Sequence, residues 1–474
     1  MKKPNLIYVF ADQLCRRRLG YAGDPKARTP NIDQFRAEGI DICNAVSGHP
    51  VCAPYRASLL TGKYTTSTGM VINEIRLNPA HHQRSFAHIL DENGYEPAYI
   101  GKWHLYAAEL GNHLDPKNSF VPPGPDRLGF DGYFAAYGFH HNYYGAPAYY
   151  HLDTPEKVYC DGYEPDVQTD MAIHQLERLS AGDKPFALFL SLGTPHPPWT
   201  PENVPGRYLE LFKDIEFKIP ENYSPENDPH SDEWGILSDR ERAALPQWMR
   251  ICYAMTANLD DNIGRLLAAV KRLGLDDSSI IVFTSDHGEL FGAHGRQGKN
   301  IFYEEAVSVP FLLKWQDKIP AGGASDVCFN TVDIMPTLLS FMDIPVPETV
   351  EGDDLKDAIM GHDGAPEGEG ALLMCTGAVA AFKDGHEWRA WRDKQYTYAV
   401  FLSDRQELLF DNKADPLQRK NLAADPAYRE IKNALRTKMF TKMREINDTF
   451  EPCTWYEKNW TKDRVIIRTA TSSR

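Results

Sequence analysis

The chain has 474 residues, enough for one to three domains and a large core, and its 42% hydrophobic and 25% charged residues are those of an ordinary globular protein. The net charge of −15 disfavours nucleic acid as a partner, and it requires a local basic pocket to draw in any anionic substrate, which leans toward small or terminally cleaved ones. No apolar stretch approaches the roughly 18 residues needed to span a bilayer, and the run after Lys2 and Lys3 is too short for a signal-peptide core, so the expectation is a cytoplasmic protein without membrane partners, or else one whose leader has been removed.

In chain order, Asn5–Ala11 reads as a strand and Thr29–Glu38 as a helix opened by Thr-Pro. Strands follow at Ile40–Val46, Glu96–Ile100 and Phe186–Leu192, with a helical period over Thr169–Leu179. Beyond them come a helix over Met249–Leu273, strands at Ser279–Thr284 and Pro310–Lys314, and a helix over Thr331–Phe341. The strand runs are nearly continuous in apolar residues, as in strands buried on both faces. Such alternation predicts an α/β fold, a large mixed, mainly parallel sheet sandwiched by helices. Residues 105–165, rich in Gly, Pro, Tyr and His, and residues 200–245, rich in Pro, Asp and Glu, read as long insertions. After Pro345-Val346-Pro347 the texture changes to short alternating runs over 386–412 and a helical stretch near 426–446. The expected division is a catalytic α/β domain, 1–347, with a smaller C-terminal antiparallel sheet plus helix, 348–474, packed on it.

Cys52 begins the stretch Cys52-Ala53-Pro54-Tyr55-Arg56, which runs on to Gly62. Proline suits the first turn of a helix, so Cys52 is expected at a helix N-terminus, where the dipole favours an anion, with Arg56 one turn on and able to reach back. The other seven cysteines form no C-x-x-C pair and no zinc-finger spacing, which fits reduced thiols better than a disulfide framework. Sites in open α/β sheets lie beyond the carboxyl ends of the strands. Asp12 and Gln13, Lys102 and His104, His196, and Asp286 and His287 all follow predicted strands, and Lys299 lies a little further on. The oxygen-rich part of this set suits a hard divalent cation, calcium first, while the histidine leaves manganese, magnesium or zinc open. Lys102, Lys299 and Arg56 would neutralise the remaining charge of a bound anion, and two histidines would move protons near neutral pH. Tyr143, Tyr144, His140, His141 and Asn142 form an aromatic and polar cluster that would suit a sugar ring or else pack as a structural loop.

The stretch CAPYRASLLTG resembles the C-x-P-x-R signature of the type I sulfatases, within the alkaline-phosphatase-like fold, and the likeness extends over nearly the whole chain. Asp12-Gln13 falls where that family has its first two metal ligands, usually two aspartates. Gly101-Lys102-Trp103-His104 matches its GKWH, Asp286-His287 its second metal pair, and Lys299 its downstream lysine. The resemblance implies that Cys52 is oxidised by a formylglycine-generating maturation enzyme to formylglycine (3-oxoalanine), whose hydrate attacks the sulfur of a small sulfated substrate. It implies metal ligation by Asp12, Gln13, residue 52, Asp286 and His287. It further implies that His196 and Lys299 assist departure of the alcohol, and that His104 takes the proton of the second hydroxyl as sulfate is expelled. The alternative is a phosphonate monoester or phosphodiester hydrolase of the same superfamily.

Overall fold

In a computed structural model, residues 3–82, 84–107, 115–365 and 368–472 are described. Residues 108–114 of the first insertion and 366–367 of the C-terminal unit lie outside them. Eight strands form the large sheet: β1 (Asn5–Asp12), β2 (Ile40–Val46), β3 (Glu96–Lys102), β4 (Phe134–Tyr137), β5 (Phe186–Pro195), β6 (Ser279–Ser285), β7 (Phe311–Lys314) and β8 (Gly323–Asn330). Their spatial order is β8-β2-β7-β6-β1-β5-β3-β4, and every neighbour pair is parallel except the two made by β7. β1 lies in the middle, hydrogen-bonded to β5 on one side and β6 on the other.

Burial on both faces explains the unbroken apolar runs. Leu6, Tyr8 and Phe10 of β1 enter one core, with the helix Cys52–Thr61 and the helix Thr331–Phe341. Ile7, Val9 and Ala11 enter the opposite core, against the helices Glu164–Ser180 and Asp239–Arg272. No helix among the described residues is long and apolar enough to cross a membrane.

The structure adds two strands to the expected elements and lengthens two helices. The insertion at 105–165 is not all loop, because Phe134–Tyr137 joins the sheet as an edge strand beside β3. Gly323–Asn330 forms the opposite edge, although its polar start gives it no strand period. The two long helices begin at Glu164 and Asp239, earlier than their apolar period, because their first turns are acidic and the second carries a capping box between Ser238 and Glu241.

Four strands, Ala371–Cys375, Trp388–Arg392, Tyr396–Phe401 and Glu407–Asp411, make a separate antiparallel sheet in sequence order. The helix Arg429–Glu445 covers one face. The other face packs on Leu290, Phe302 and Val307 of the large unit. Buried ion pairs add to this seam, Arg392 with Glu304 at 2.7 Å, while Arg389 and Asp448 pair at 2.5 Å within the C-terminal part.

Candidate active site

The carboxyl ends of β1, β3, β5 and β6 converge on one point. β1 delivers Asp12 and Gln13, β3 ends at Lys102 with His104 just after it, β5 leads into His196, and β6 into Asp286 and His287. Two of these residues, Gln13 (φ 72°) and His104 (φ 61°), sit in the left-handed backbone region that side chains other than glycine seldom adopt. Strain of this kind costs of order 1–3 kcal/mol and persists where the surroundings over-determine it. Gly101 is required by the same turn. It has φ +105°, and a Cβ there would stand 2.0 Å from the Ser191 carbonyl oxygen.

Cys52 is the first residue of the helix Cys52–Thr61, which follows an extended Val51 and stops at Gly62 in the left-handed conformation. The N-terminal amide of Ala53 is already taken, donating to Asn73 Oδ1 at 2.9 Å. The sulfur therefore meets side chains rather than a bare helix end. Cys52 Sγ lies 3.2 Å from Lys299 Nζ, 3.3 Å from His287 Nε2, and 3.7 Å from both Asp12 Oδ1 and Lys102 Nζ.

Asp12, Cys52, Asp286 and His287 each offer a ligand atom, and these atoms all lie within 4.8 Å of one another. The donor set fits a divalent cation on two counts. His287 Nδ1–H donates to the Gly288 carbonyl at 3.1 Å, which leaves the Nε2 lone pair facing the cluster. Burial, helped by the Lys299 charge and opposed by that of Asp286, depresses the His287 pKa to about 4, so the imidazole is neutral and able to ligate. The two carboxylates are fully buried side by side. Burial and then the Asp12 charge push Asp286 up to about 6. Burial alone would raise Asp12 too, but the charges of Lys102, Lys299 and Arg56 together hold it well below the usual carboxylate range.

The sequence reading sets Arg56 against the anion; the structure turns it the other way. Its guanidinium donates to Lys102 O and Ser191 Oγ at 2.6 Å, and to Asp12 Oδ2 and Asp286 Oδ2 at 3.2 and 3.4 Å, beneath the cluster. A planar five-donor fork can satisfy all four acceptors at once. Lys102 is likewise buried, with Nζ 2.6 Å from Asp12 Oδ2.

Above the cluster opens a cavity of about 470 Å³. Gln13, Cys52, His104, His196 and Lys299 form its floor and walls. His196 Nδ1–H donates to the Pro197 carbonyl at 2.8 Å, so Nε2 is the atom left to exchange a proton. Burial, then Lys299 and His141, keep His196 well below the usual histidine range, and burial, then Lys102 and Arg56, do the same for His104. Both are neutral bases in the free protein. Lys299 is opposite: burial would lower it, but the Cys52 sulfur, Asp12 and Asp286 raise it, so it keeps its proton.

Several wall residues do not follow from the strand-end argument. His141 stacks on His196 with ring centroids 4.2 Å apart. Trp199, Trp234 and Trp248 form an aromatic side, Glu74 and Glu289 are acidic, and Val379 comes from the C-terminal unit. Of the aromatic cluster seen in the sequence, His141 faces this cavity. Tyr143 is buried with its hydroxyl on the Gly193 carbonyl and His140 is buried on the Tyr149 carbonyl, so these two are packing, while Tyr144 is exposed and Asn142 half-buried. Cys52-Ala53-Pro54-Tyr55-Arg56 was a local signal, whereas these walls are brought together only by the tertiary fold.

The sulfatase family model matches residues 4–344, and a model of the N-sulphoglucosamine sulphohydrolase C-terminal region matches residues 292–445. An ulvan-active sulfatase of Formosa agariphila is 37% identical over 97% of this chain and 84% of its own length. An N-acetylglucosamine-6-O-sulfatase of Bacteroides thetaiotaomicron is 26% identical over 95% and 86%. Among solved structures, one in complex with its substrate D-glucosamine-2-N,6-O-disulfate superposes with a TM-score of 0.79 at 24% identity, covering 97% of this chain and 99% of that one. The phosphonate monoester hydrolase of Agrobacterium radiobacter shares the fold at a TM-score of 0.66 and 22% identity, over 94% and 96%. With the family model spanning most of its length and a relative this similar over nearly all of it, the chain belongs to the sulfatase family and is a sulfate ester hydrolase.

Proposed function

We propose that this enzyme removes sulfate from a small or terminal sulfated carbohydrate, with Cys52, converted to formylglycine by a maturation enzyme, as the nucleophilic position. The observation that carries the reading is the Cys52 sulfur on the floor of a 470 Å³ cavity, 3.2 Å from a protonated Lys299 and 3.3 Å from His287. A sugar ring fits such a space, and the tryptophan side offers it an apolar face.

Asp12, Gln13, residue 52, Asp286 and His287 would hold one divalent cation, calcium before manganese, magnesium or zinc, given the preponderance of oxygen donors. When bound it supplies Lewis-acid polarisation and charge neutralisation at the ester. The formylglycine hydrate supplies two hydroxyls, one to attack sulfur and one to release sulfate, which a thiol cannot do. The protein's own groups handle the protons. Lys299 holds one at the cavity floor, and His196 Nε2 is the adjacent acceptor, so between them they can pass a proton to the departing alcohol oxygen. His104, neutral and on another wall, is placed to take the proton of the second hydroxyl. Lys102 neutralises charge from below, and Arg56 holds Asp12 and Asp286 in place.

The catalytic domain of this reading is 1–347, with 348–474 packed on it and contributing Val379 to the cavity. The eight unpaired cysteines fit a reducing compartment, and we place the enzyme in the cytoplasm on that basis. The test is turnover of an aryl sulfate and of monosulfated sugars, beside phosphonate monoesters and phosphodiesters as controls, together with mass spectrometry of the tryptic peptide Ala37–Arg56. Faster phosphonate or phosphodiester hydrolysis would overturn the substrate class. An intact thiol in a fully active preparation would overturn the nucleophile, as would activity surviving in Cys52→Ala.

A further inference from the structure

We infer that Glu289 is a positioning residue that fixes the Gln13 side chain with its amide oxygen toward the cation site. The inference rests on the cation reading above and deepens it.

Glu289 is fully buried at the cavity wall, two residues past His287. One carboxylate oxygen, Oε1, accepts from the backbone amides of Phe291 and Gly298 at 2.9 and 2.7 Å. The other, Oε2, accepts from Gln13 Nε2. A lysine ammonium has only donors, so the Gln13 atom that meets Lys299 Nζ is the amide oxygen and the NH₂ is the group that faces Glu289. The amide oxygen is thereby sent to the opposite side, where it lies 2.8 Å from Lys299 Nζ, itself 3.2 Å from the Cys52 sulfur. The backbone is pinned as well. Gln13 N donates to Asp286 Oδ1 at 3.0 Å, and the residue is held at φ 72°. Glu289 is in turn fixed by its own amide on Glu305 O at 2.9 Å, and by Arg18 Nη2 on its carbonyl at 2.6 Å. The loop that delivers Asp286 and His287 thus also carries the group that orients Gln13.

This arrangement makes Gln13 a neutral oxygen donor beside two carboxylates and a neutral imidazole, a set whose charge a divalent cation balances. It also reverses an ordinary expectation. Exchanging a neutral ligand for an anionic one should tighten cation binding. Here Gln13→Glu would place a second carboxylate against that of Glu289 in a buried site, where the like charges repel.

The experiment is calcium titration by calorimetry at pH 8 of the chelator-stripped full chain, with Glu289→Gln, Gln13→Glu and the double variant beside the parent. Loss of the orienting group is expected to weaken calcium binding about 10–100-fold in Glu289→Gln. Gln13→Glu is expected to weaken it too. Gln13→Glu with Glu289→Gln restores a complementary donor–acceptor pair and should recover binding to within about threefold of the parent. Parent-like binding by Glu289→Gln, tighter binding by Gln13→Glu, or a double variant no better than Gln13→Glu would each overturn the assignment. Thermal unfolding of the calcium-free proteins identifies any variant that fails to fold. If Glu289→Gln is one, the sign of the change in Gln13→Glu alone decides. A parent that binds no divalent cation would remove the cation reading and this inference with it, whereas a binding parent and an indifferent Glu289→Gln would remove only this inference.

Discussion

Arg56→Met isolates the electrostatic job of the buried arginine. Two carboxylate oxygens lie 3.2 and 3.4 Å from Nη2, and at an effective dielectric near 20 each contact carries about 5 kcal/mol of gross attraction. Most of that is offset by the cost of dehydrating the ions. Removing one partner of a buried pair nevertheless costs roughly 3–5 kcal/mol net, because the remaining charges are stranded. Unfolding entropy is about 2.1 cal/mol/K per residue, so 474 residues give about 1 kcal/mol/K, and the midpoint should fall by about 3–5 °C if the chain melts as one unit. The assay is calorimetric melting at pH 8, above the Asp286 value of about 6, so that both carboxylates are charged. It is run with chelator and again with calcium. Calcium at a hundredfold excess over its dissociation constant adds about 2.7 kcal/mol to any protein that binds it only when folded. Freed of the guanidinium, the carboxylates should bind the cation more tightly, so the calcium-induced rise in midpoint should be larger in Arg56→Met than in the parent. Arg56→Lys should fall between them, since an ammonium supplies the charge without the fork. A chelated midpoint within about 1 °C of the parent, or equal calcium shifts in both proteins, would refute the reasoning.

Asp286→Ala should abolish stoichiometric metal as well as activity, which elemental analysis of gel-filtered protein would reveal. Loss of His196 should matter most for sugar sulfates, whose leaving groups need a proton, and less for an aryl sulfate, whereas His104→Ala should be slow with both and retain sulfate on the protein; general acid–base contributions of about 10²–10⁴-fold are readily resolved by kinetics and intact mass. Equal losses on both substrates for both variants, with no retained sulfate, would remove that division of roles. Glu164 lies fully buried behind Tyr137 and Gln168, and burial pushes its carboxyl up to about 8. The folded state keeps a proton that the unfolded chain releases near the ordinary glutamate value. Stability is therefore fully present below that value and falls as pH rises toward 8, by on the order of 3–5 kcal/mol. Glu164→Gln should flatten this slope and melt a few degrees above the parent at pH 8 but not at pH 5, and identical pH–midpoint curves would contradict it.

The parallel core was legible because its strands are apolar on both faces, so β1, β2 and the helix Thr331–Phe341 stand out by composition alone. The sheet edges were not. Phe134–Tyr137 is four residues inside a glycine-rich loop, and Gly323–Asn330 has a polar first half that alternates exposed and buried positions before its last four residues are all buried. Residues at strand ends were legible as a set, since the topology of a parallel sheet places all carboxyl ends on one edge. The direction of a side chain was not. Spacing places Arg56 one turn from Cys52, but whether its guanidinium faces the cavity or the carboxylates depends on Ser191 and the Lys102 carbonyl, which arrive from β5 and β3. Glu289 was hidden for a related reason. Its meaning lies in a hydrogen bond to a residue 276 positions away.

The acidity of the chain and the anionic character of its substrate class are reconciled at the level of the cavity floor. A net charge of −15 gives a surface that repels polyanions at long range, but salt screens that field beyond about 10 Å. Inside the site two ammonium groups meet the Cys52 sulfur directly, and a guanidinium below them ties down the two acidic groups that would otherwise oppose an anion. The attraction is therefore short-ranged and acts in a dehydrated space, where it is strongest. A single sulfate group on a small or terminal sugar can reach it by entering the cavity. A long sulfated chain would have to lay its other charges along the acidic exterior. The same balance gives Arg56 and Glu289 parallel roles: neither needs to touch the ester, and each acts on a group of the proposed cation site, Arg56 on the charge of Asp12 and Asp286 and Glu289 on the direction of Gln13.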